Sequence, residues 1–106
     1  MSYTTTFTDP APALEDLAAL PGTVVLEFGT PWCGYCQRAQ PYISQALQAR
    51  SDLTHIKVED GPGRKLGRQF KVKLWPSLIV LRQGEEVGRS VRPESSQAIT
   101  DILPEA

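Results

Sequence analysis

The stretch Glu27-Phe28-Gly29-Thr30-Pro31-Trp32-Cys33-Gly34-Tyr35-Cys36 contains both cysteines of this 106-residue sequence. It begins inside a nearly continuous apolar run, residues 23–29, which is typical of a central strand covered on both faces. It leads into residues 33–50, where apolar side chains recur at helical spacing. The sequence therefore predicts a Cys-x-x-Cys pair at the junction between a buried strand and a long helix.

The position of this cysteine pair predicts thiol chemistry. A helix N-terminus presents unpaired N–H groups and a partial positive charge, which favour a thiolate over a thiol. We therefore predict Cys33 as the nucleophile and Cys36, one turn further along, as the resolving thiol. The alternative is half of a zinc site, but zinc prefers four ligands and the chain offers only His55 besides the pair. We expect neither a metal nor an organic cofactor.

The rest of the chain alternates short strands and helices, separated by proline and glycine, in the order βαβαβαββα. Strands are predicted at residues 3–7, 23–29, 53–59, 77–82 and 86–90, and helices at 11–20, 33–50, 64–70 and 93–103. The alternating part indicates a parallel sheet with right-handed crossovers, and the final hairpin adds an antiparallel edge. We predict one α/β domain over residues 1–106, with a central mixed sheet flanked by helices.

Composition excludes several classes of protein. Hydrophobic residues make up 41% of the chain, which excludes a disordered polymer, and two cysteines exclude a disulfide-dense scaffold. A net charge of -1 argues against a nucleic-acid partner bound through bulk charge. The sequence contains no run of about 20 apolar residues, so it predicts no membrane-spanning helix. Because the first residues lack the pattern of a secretory signal, we expect a cytoplasmic protein; a chain processed to begin at Met1 is the alternative.

Together these residues resemble the thioredoxin family over nearly the whole chain. The stretch from Glu27 to Cys36 is similar to the family's active-site strand and turn, Pro41 to its helix-kinking proline, and Trp75-Pro76-Ser77 to the site of its cis-proline. The resemblance implies a thioredoxin fold and a thiol–disulfide oxidoreductase that reduces protein disulfides. It also implies regeneration by a thioredoxin-reductase-like electron donor, and a monomer.

The resemblance assigns roles to further residues. Glu27 lies where the family usually has a buried Asp, and burial is expected to raise its pKa and suit it to shuttle a proton for Cys36. Lys57 matches the family's partner lysine; the alternative is that the Glu27 side chain ends in solvent and Lys57 is a surface charge. Substrate peptides are expected to dock by strand addition. The residues expected to bind them are Trp32, Gly34, Tyr35, Trp75, Pro76 and Arg92.

The sequence also departs from the family. Tyr35 replaces a proline or histidine, and Arg92 stands where a groove glycine is usual. Basic residues gather in loops expected near the cysteines, which are Arg64, Lys65, Arg68, Lys71, Lys73 and Arg92. They form either a solvated charged face or a surface that selects acidic partners. Trp75 is read either as part of an aromatic rim or as core, and His55 as a packed or edge residue rather than a base.

Two other functions stay open at this point. A disulfide oxidant or isomerase would use the same cysteine pair in an oxidising compartment. A thioredoxin-like adapter would use its groove to hold one partner, with redox turnover secondary. The intact cysteine pair favours the oxidoreductase, and Arg92 and Trp75 are the residues that keep the adapter under consideration.

Overall fold

The apolar runs and the helix-spaced segments form four strands and four helices in the computed structural model, which describes residues 2–106. In chain order the elements are α1 (Leu14–Ala19), β1 (Thr23–Gly29), α2 (Gly34–Gln48), β2 (Leu53–Glu59), α3 (Lys65–Gln69), β3 (Ser77–Arg82), β4 (Glu85–Val91) and α4 (Ser96–Thr100). The four-stranded mixed sheet flanked by helices is the α/β architecture that the sequence predicts and the resemblance implies.

The strands lie in the order β2-β1-β3-β4. β1 runs parallel to β2, with Glu27 opposite Lys57, whereas β3 is antiparallel to both β1 and β4. The predicted mixture of parallel and antiparallel pairing is present, but the antiparallel part extends beyond the β3–β4 hairpin, since β3 is also antiparallel to β1. A strand buried on both faces carries the same apolar run in either direction, so its sequence does not record which way it points.

Each face of the sheet carries its own apolar core, because β1 and β3 are buried along almost their whole length. One core joins the sheet to α1 and α3 through Leu17 and Leu66. The other joins it to α2 and α4 through Ile43 and Ile99. Helices therefore cover both faces, and the C-terminal end of β1 leads directly into the turn before α2.

The N-terminal segment, residues 2–8, is not the strand predicted at residues 3–7. Only Phe7 forms a bridge, with Lys57 of β2, and the Thr8 N–H donates to the Lys57 carbonyl at 2.7 Å. The alternating side chains instead pack across β2 and α2: the Tyr3 ring stacks on His55, with 5.5 Å between ring centroids. The segment therefore covers part of the free edge of β2.

The short helices begin later or end sooner than predicted. The last one begins after Ser95, whose hydroxyl accepts the Ala98 N–H at 3.1 Å, rather than at Pro93. Pro41 lies inside α2, as predicted. Within residues 2–106, no helix combines the length and the apolar character needed to cross a bilayer.

Candidate active site

The two cysteines lie at the start of α2, as predicted. Cys33 is the N-cap residue, and its sulfur accepts the backbone N–H of Cys36 at 3.3 Å. Both are free thiols, and 8% of Cys33 and 5% of Cys36 is exposed. The fold therefore holds the Cys33 sulfur at the start of the helix, against the Cys36 N–H, where negative charge is stabilised.

The thiol of Cys36 is held in its protonated form. Burial, together with a hydrogen bond to the Cys33 sulfur and the negative charge of Glu27, raises the pKa of Cys36 to about 12. The space for this sulfur depends on Gly29, because a Cβ atom there would lie 2.6 Å from Cys36 Sγ. The end of β1 is therefore shaped around the second cysteine.

Glu27 is buried in β1, where 2% of the residue is exposed. Its Oε1 faces His55 Nε2 at 2.8 Å, and its Oε2 accepts a hydrogen bond from Gln40 Nε2 at 2.9 Å. Burial raises the pKa of Glu27, but the hydrogen bond from His55, the charge of Lys57 and the Gln40 amide outweigh it, so the pKa is lowered overall. The shift expected from burial alone is thus reversed, and Glu27 is an anion at neutral pH.

His55 and Gln40 are the residues that the sequence analysis did not place in the site. His55 Nδ1 accepts the Thr4 N–H at 3.0 Å, so the proton on the ring lies on Nε2 and is donated to Glu27. Gln40 links Glu27 to the Cys36 carbonyl, to which its Nε2 also donates at 2.9 Å. Because Gln40 lies four residues after Cys36 on α2, helical spacing is the one signal that connects them.

Lys57 lies beside Glu27, as the register of β1 and β2 requires. Its Nζ is 3.7 Å from Glu27 Oε2 and donates to Gln40 Oε1 at 3.1 Å. The ammonium also lies 4.9 Å from the centre of the Phe7 ring. A network of buried Glu27, His55 and Lys57 with half-buried Gln40 thus connects the neighbourhood of Cys36 to the N-terminal segment.

A cavity of about 220 Å³ lies against this network. Cys36, Gln40 and Lys57 line it on one side, and the N-terminal segment lines it through Thr5 and Phe7. The Thr30 hydroxyl, which also lines it, is buried and has no hydrogen-bond partner within residues 2–106. The cavity therefore gives the polar groups around Cys36 a common space.

The face beside the cysteines carries an aromatic pair. Trp32, which is 71% exposed, meets Trp75 edge to face with 5.8 Å between ring centroids. Trp75 Nε1 donates to Asp60 at 2.9 Å, and the Trp75–Pro76 peptide bond is cis, as the resemblance implies. Trp75 is thus half-buried and in contact with Trp32, so it is neither a fully buried core residue nor isolated on the surface.

Arg92 folds back over this face. Its backbone has a φ of 49°, in the left-handed region that favours glycine. Its backbone N–H donates to the Pro76 carbonyl at 2.9 Å, and its Nε donates to the Trp75 carbonyl at 2.8 Å. The guanidinium carbon of Arg92 lies 3.7 Å from the centre of the exposed Tyr35 ring, and the guanidinium carbon of Arg38 lies 4.6 Å from the same centre.

Gly34, at the first position of α2, is exposed beside Tyr35.

The other members of the predicted basic cluster have different surroundings. Arg64 faces Glu59 across 3.7 Å. The remaining members are exposed, and they are Lys65, Arg68, Lys71 and Lys73. In the described part of the chain, no group of three or more His, Cys, Asp or Glu side chains is placed to hold a metal ion.

Comparison with known proteins identifies the family. The sequence profile of the Thioredoxin family matches residues 12–105. The chain belongs to the thioredoxin family. Reduced thioredoxin 2 from Pseudomonas aeruginosa PAO1 has a similar structure, with a TM-score of 0.81 and 47% identity over 93% of this chain and 92% of that one. These comparisons and the cysteine geometry show a thiol–disulfide oxidoreductase.

Curated relatives include both thioredoxins and larger proteins. Thioredoxin H-type from Fagopyrum esculentum is 28% identical over 83 residues, which are 78% of this chain and 72% of that protein. Protein disulfide-isomerase A3 from Gallus gallus is 33% identical over 88 residues, which are 82% of this chain but 17% of that protein. The similarity to the isomerase therefore concerns one segment of a much longer chain.

Proposed function

We propose that this thioredoxin-family protein works as a reductant of protein disulfides. The observation that carries the proposal is that the two sulfurs have different surroundings: Cys33 caps the helix, whereas Cys36 is kept as a thiol. The Cys33 thiolate attacks one sulfur of the substrate disulfide and expels the other as a thiolate. Cys36 then attacks the mixed disulfide, which releases the reduced substrate and leaves a Cys33–Cys36 disulfide.

The second step requires a base, because Cys36 must lose its proton as it attacks. Glu27 is the group we propose for this role, since it is a buried carboxylate whose negative charge acts on Cys36 and Gln40 ties it to the Cys36 backbone. His55 holds one carboxylate oxygen and Lys57 lies near the other. Glu27 therefore acts here as a proton acceptor, with His55 and Lys57 positioning it.

The substrate peptide is proposed to dock beside Pro76 as an added strand. Trp32, Tyr35 and Trp75 supply apolar contact area around the cysteines, and Gly34 leaves space beside Cys33. Two electrons pass to the substrate in each cycle, so an external donor must restore the dithiol. We propose a thioredoxin-reductase-like flavoenzyme for that task, and a monomer in the cytoplasm as the working form.

Insulin reduction tests the proposal. With dithiothreitol as the electron source, the protein is expected to accelerate insulin precipitation, and Cys33→Ser is expected to abolish the effect. Cys36→Ser should accumulate a mixed disulfide visible by mass spectrometry, because the resolving sulfur is missing. Absence of acceleration by the folded wild-type protein would overturn the reductase and leave the adapter. A dithiol couple more oxidising than about −180 mV would indicate an oxidant or isomerase instead.

A further inference from the structure

The side chain of Arg92 occupies a backbone acceptor that a docked peptide would use. Its Nε donates to the carbonyl of Trp75, the residue directly before the cis-proline, at 2.8 Å. Strand addition requires main-chain hydrogen bonds, so a peptide that pairs here has to share or displace the Arg92 donor. A glycine at this position would fit the same φ and leave the carbonyl free.

The guanidinium of Arg92 also forms one wall of a positively charged cleft. This cleft, of about 310 Å³, lies between α2 and the segment after β4, and Arg38 and Tyr42 line its other side. The Tyr35 ring lies under both guanidinium groups. Within residues 2–106 neither arginine forms an ion pair, and the carboxylate that lines the cleft, Glu94, is exposed.

We propose that Arg92 is a latch that makes docking depend on an acidic residue of the substrate. A carboxylate near the substrate disulfide enters the cleft, draws the guanidinium of Arg92 towards itself and Arg38, and frees the Trp75 carbonyl for the peptide backbone. The substrates selected in this way are protein disulfides flanked by Asp or Glu. This inference rests on the proposed reductase function and names the substrate class of that same site.

The expected preference is moderate because the cleft is open to solvent. An exposed ion pair changes affinity by about twofold to fivefold, and salt screens it. A peptide with Glu near its cysteine should therefore be reduced about threefold to fivefold faster than its Gln counterpart at low salt. The Lys counterpart should be slower than the Gln peptide, because it leaves the latch closed and adds a like charge.

Single-turnover kinetics provide the test. The substrates are symmetric disulfides of short peptides with one cysteine each, carrying Glu, Gln or Lys two residues before or after it. Pre-reduced protein is mixed with excess peptide, and the rate of Cys33–Cys36 disulfide formation gives an apparent second-order constant. Bis(2-hydroxyethyl) disulfide, which is small and neutral, reports the reactivity of the cysteines without docking.

Two variants separate the latch from the charge of the cleft. Arg92→Gly removes the donor from the Trp75 carbonyl, so the Gln peptide should react faster than with the wild-type protein. The ratio of the Glu-peptide rate to the Gln-peptide rate should fall to about one. Arg38→Gln leaves the Arg92 hydrogen bond in place, so the rate with the Gln peptide should not change. The ratio of the Glu-peptide rate to the Gln-peptide rate should fall by about half. Arg68→Gln is the matched control, because it removes one exposed positive charge that does not line the cleft.

The outcomes distinguish the inference from the proposed function. Equal rates for the Glu and Gln peptides in the wild-type protein, with normal reduction of bis(2-hydroxyethyl) disulfide, would overturn the latch and leave the reductase standing. A preference that Arg68→Gln removes as strongly as Arg38→Gln would also overturn it, because bulk charge would then explain the selectivity. Failure to reduce the small disulfide at all would instead contradict the proposed function.

Discussion

At the scale of single residues, two neighbouring sulfurs are placed in unlike surroundings. Cys33 accepts a backbone N–H of the first turn of α2, which stabilises negative charge on its sulfur. Cys36 is buried one turn deeper, near a carboxylate, and its pKa is raised to about 12. The same Cys-x-x-Cys stretch therefore presents one sulfur for attack and withholds the other until a mixed disulfide has formed.

Alkylation should distinguish the two sulfurs. At pH 7 iodoacetamide is expected to label Cys33 and to leave Cys36 unlabelled, because the raised pKa keeps Cys36 as a thiol. Mass spectrometry of the digested protein gives the label on each cysteine between pH 6 and 9. Cys33→Ser is the control that removes the reactive site. Equal, slow labelling of both cysteines would contradict the assignment of nucleophile and resolving thiol.

Replacement of Glu27 by Gln should slow the second chemical step. The amide keeps the size of the side chain but cannot accept the Cys36 proton, so release of substrate from the mixed disulfide should slow by roughly tenfold or more. Stopped-flow fluorescence would follow this release separately from the first attack, which should change little. Glu85→Gln, on exposed β4, is the matched control. An unchanged release rate in Glu27→Gln would remove Glu27 from the mechanism.

The residues around Glu27 differ in how well their place in the site can be predicted from the sequence. A carboxylate in an apolar strand is costly to bury, so Glu27 stands out from its sequence alone. His55 has no such local signal, because it lies between Thr54 and Ile56 in an ordinary strand pattern and its partner is 28 residues away. His55 is a packed residue, one of the two interpretations that the sequence allows, but its pairing with Glu27 depends on strand register.

At the scale of elements, the junction of β1 with α2 is the tightest part of the site. Gly29→Ala would bring a methyl group to 2.6 Å from Cys36 Sγ, so the sulfur or the strand has to move. We expect a loss of about 1–3 kcal/mol in the free energy of unfolding, measured by urea denaturation of the reduced protein.

A second glycine of the same turn provides the control for this prediction. A Cβ at Gly34 would lie 3.6 Å from the flexible end of Arg38, an ordinary contact. Because Gly34 is helical, Gly34→Ala should be neutral or should stabilise the protein by about 0.5–1 kcal/mol. If Gly29→Ala were as stable as Gly34→Ala, the proposed packing of the Cys36 sulfur would be wrong.

Elements with strong local patterns could be read from the sequence, and those defined by distant contacts could not. β1, β2 and β3 begin and end at the predicted residues, because each is an apolar run bounded by turns. The alternation at residues 3–7 is real, but it places Tyr3 against His55 rather than extending a ladder. The direction of β3 is a property of the whole sheet, so no single stretch of sequence encodes it.

At the scale of the whole molecule, Glu27 should make stability depend on pH. Its pKa is lower in the folded protein than the ordinary value of about 4.3, so its contribution is fully present above that value. The contribution is lost as the pH falls through the lower folded value. We therefore expect the free energy of unfolding to decrease between about pH 5 and pH 3.

Comparison with Glu27→Gln isolates this carboxylate from the others. Glu86, beside Arg89, also has a lowered pKa and acts in the same direction, so the wild-type curve alone is not sufficient. At pH 7 the free energy of unfolding of the variant should be lower than that of the wild type by roughly 1–3 kcal/mol. This difference in the free energy of unfolding should become smaller towards pH 3. A gap that stays constant from pH 7 to pH 3 would contradict an ionised, paired Glu27.

The two outer strands of the sheet differ in how their free edges are covered. β4 presents charged residues along its exposed edge, including Glu85, Glu86 and Arg89. β2 also carries charged residues, but Lys57 is buried beside Glu27, and the bridge from Phe7 and the Thr8 N–H occupy part of the free side of the strand. An unpaired strand edge is a template for aggregation. Residues 2–8 therefore have two roles, because the same backbone segment that donates to His55 also occupies backbone groups of β2 that an intermolecular strand would need.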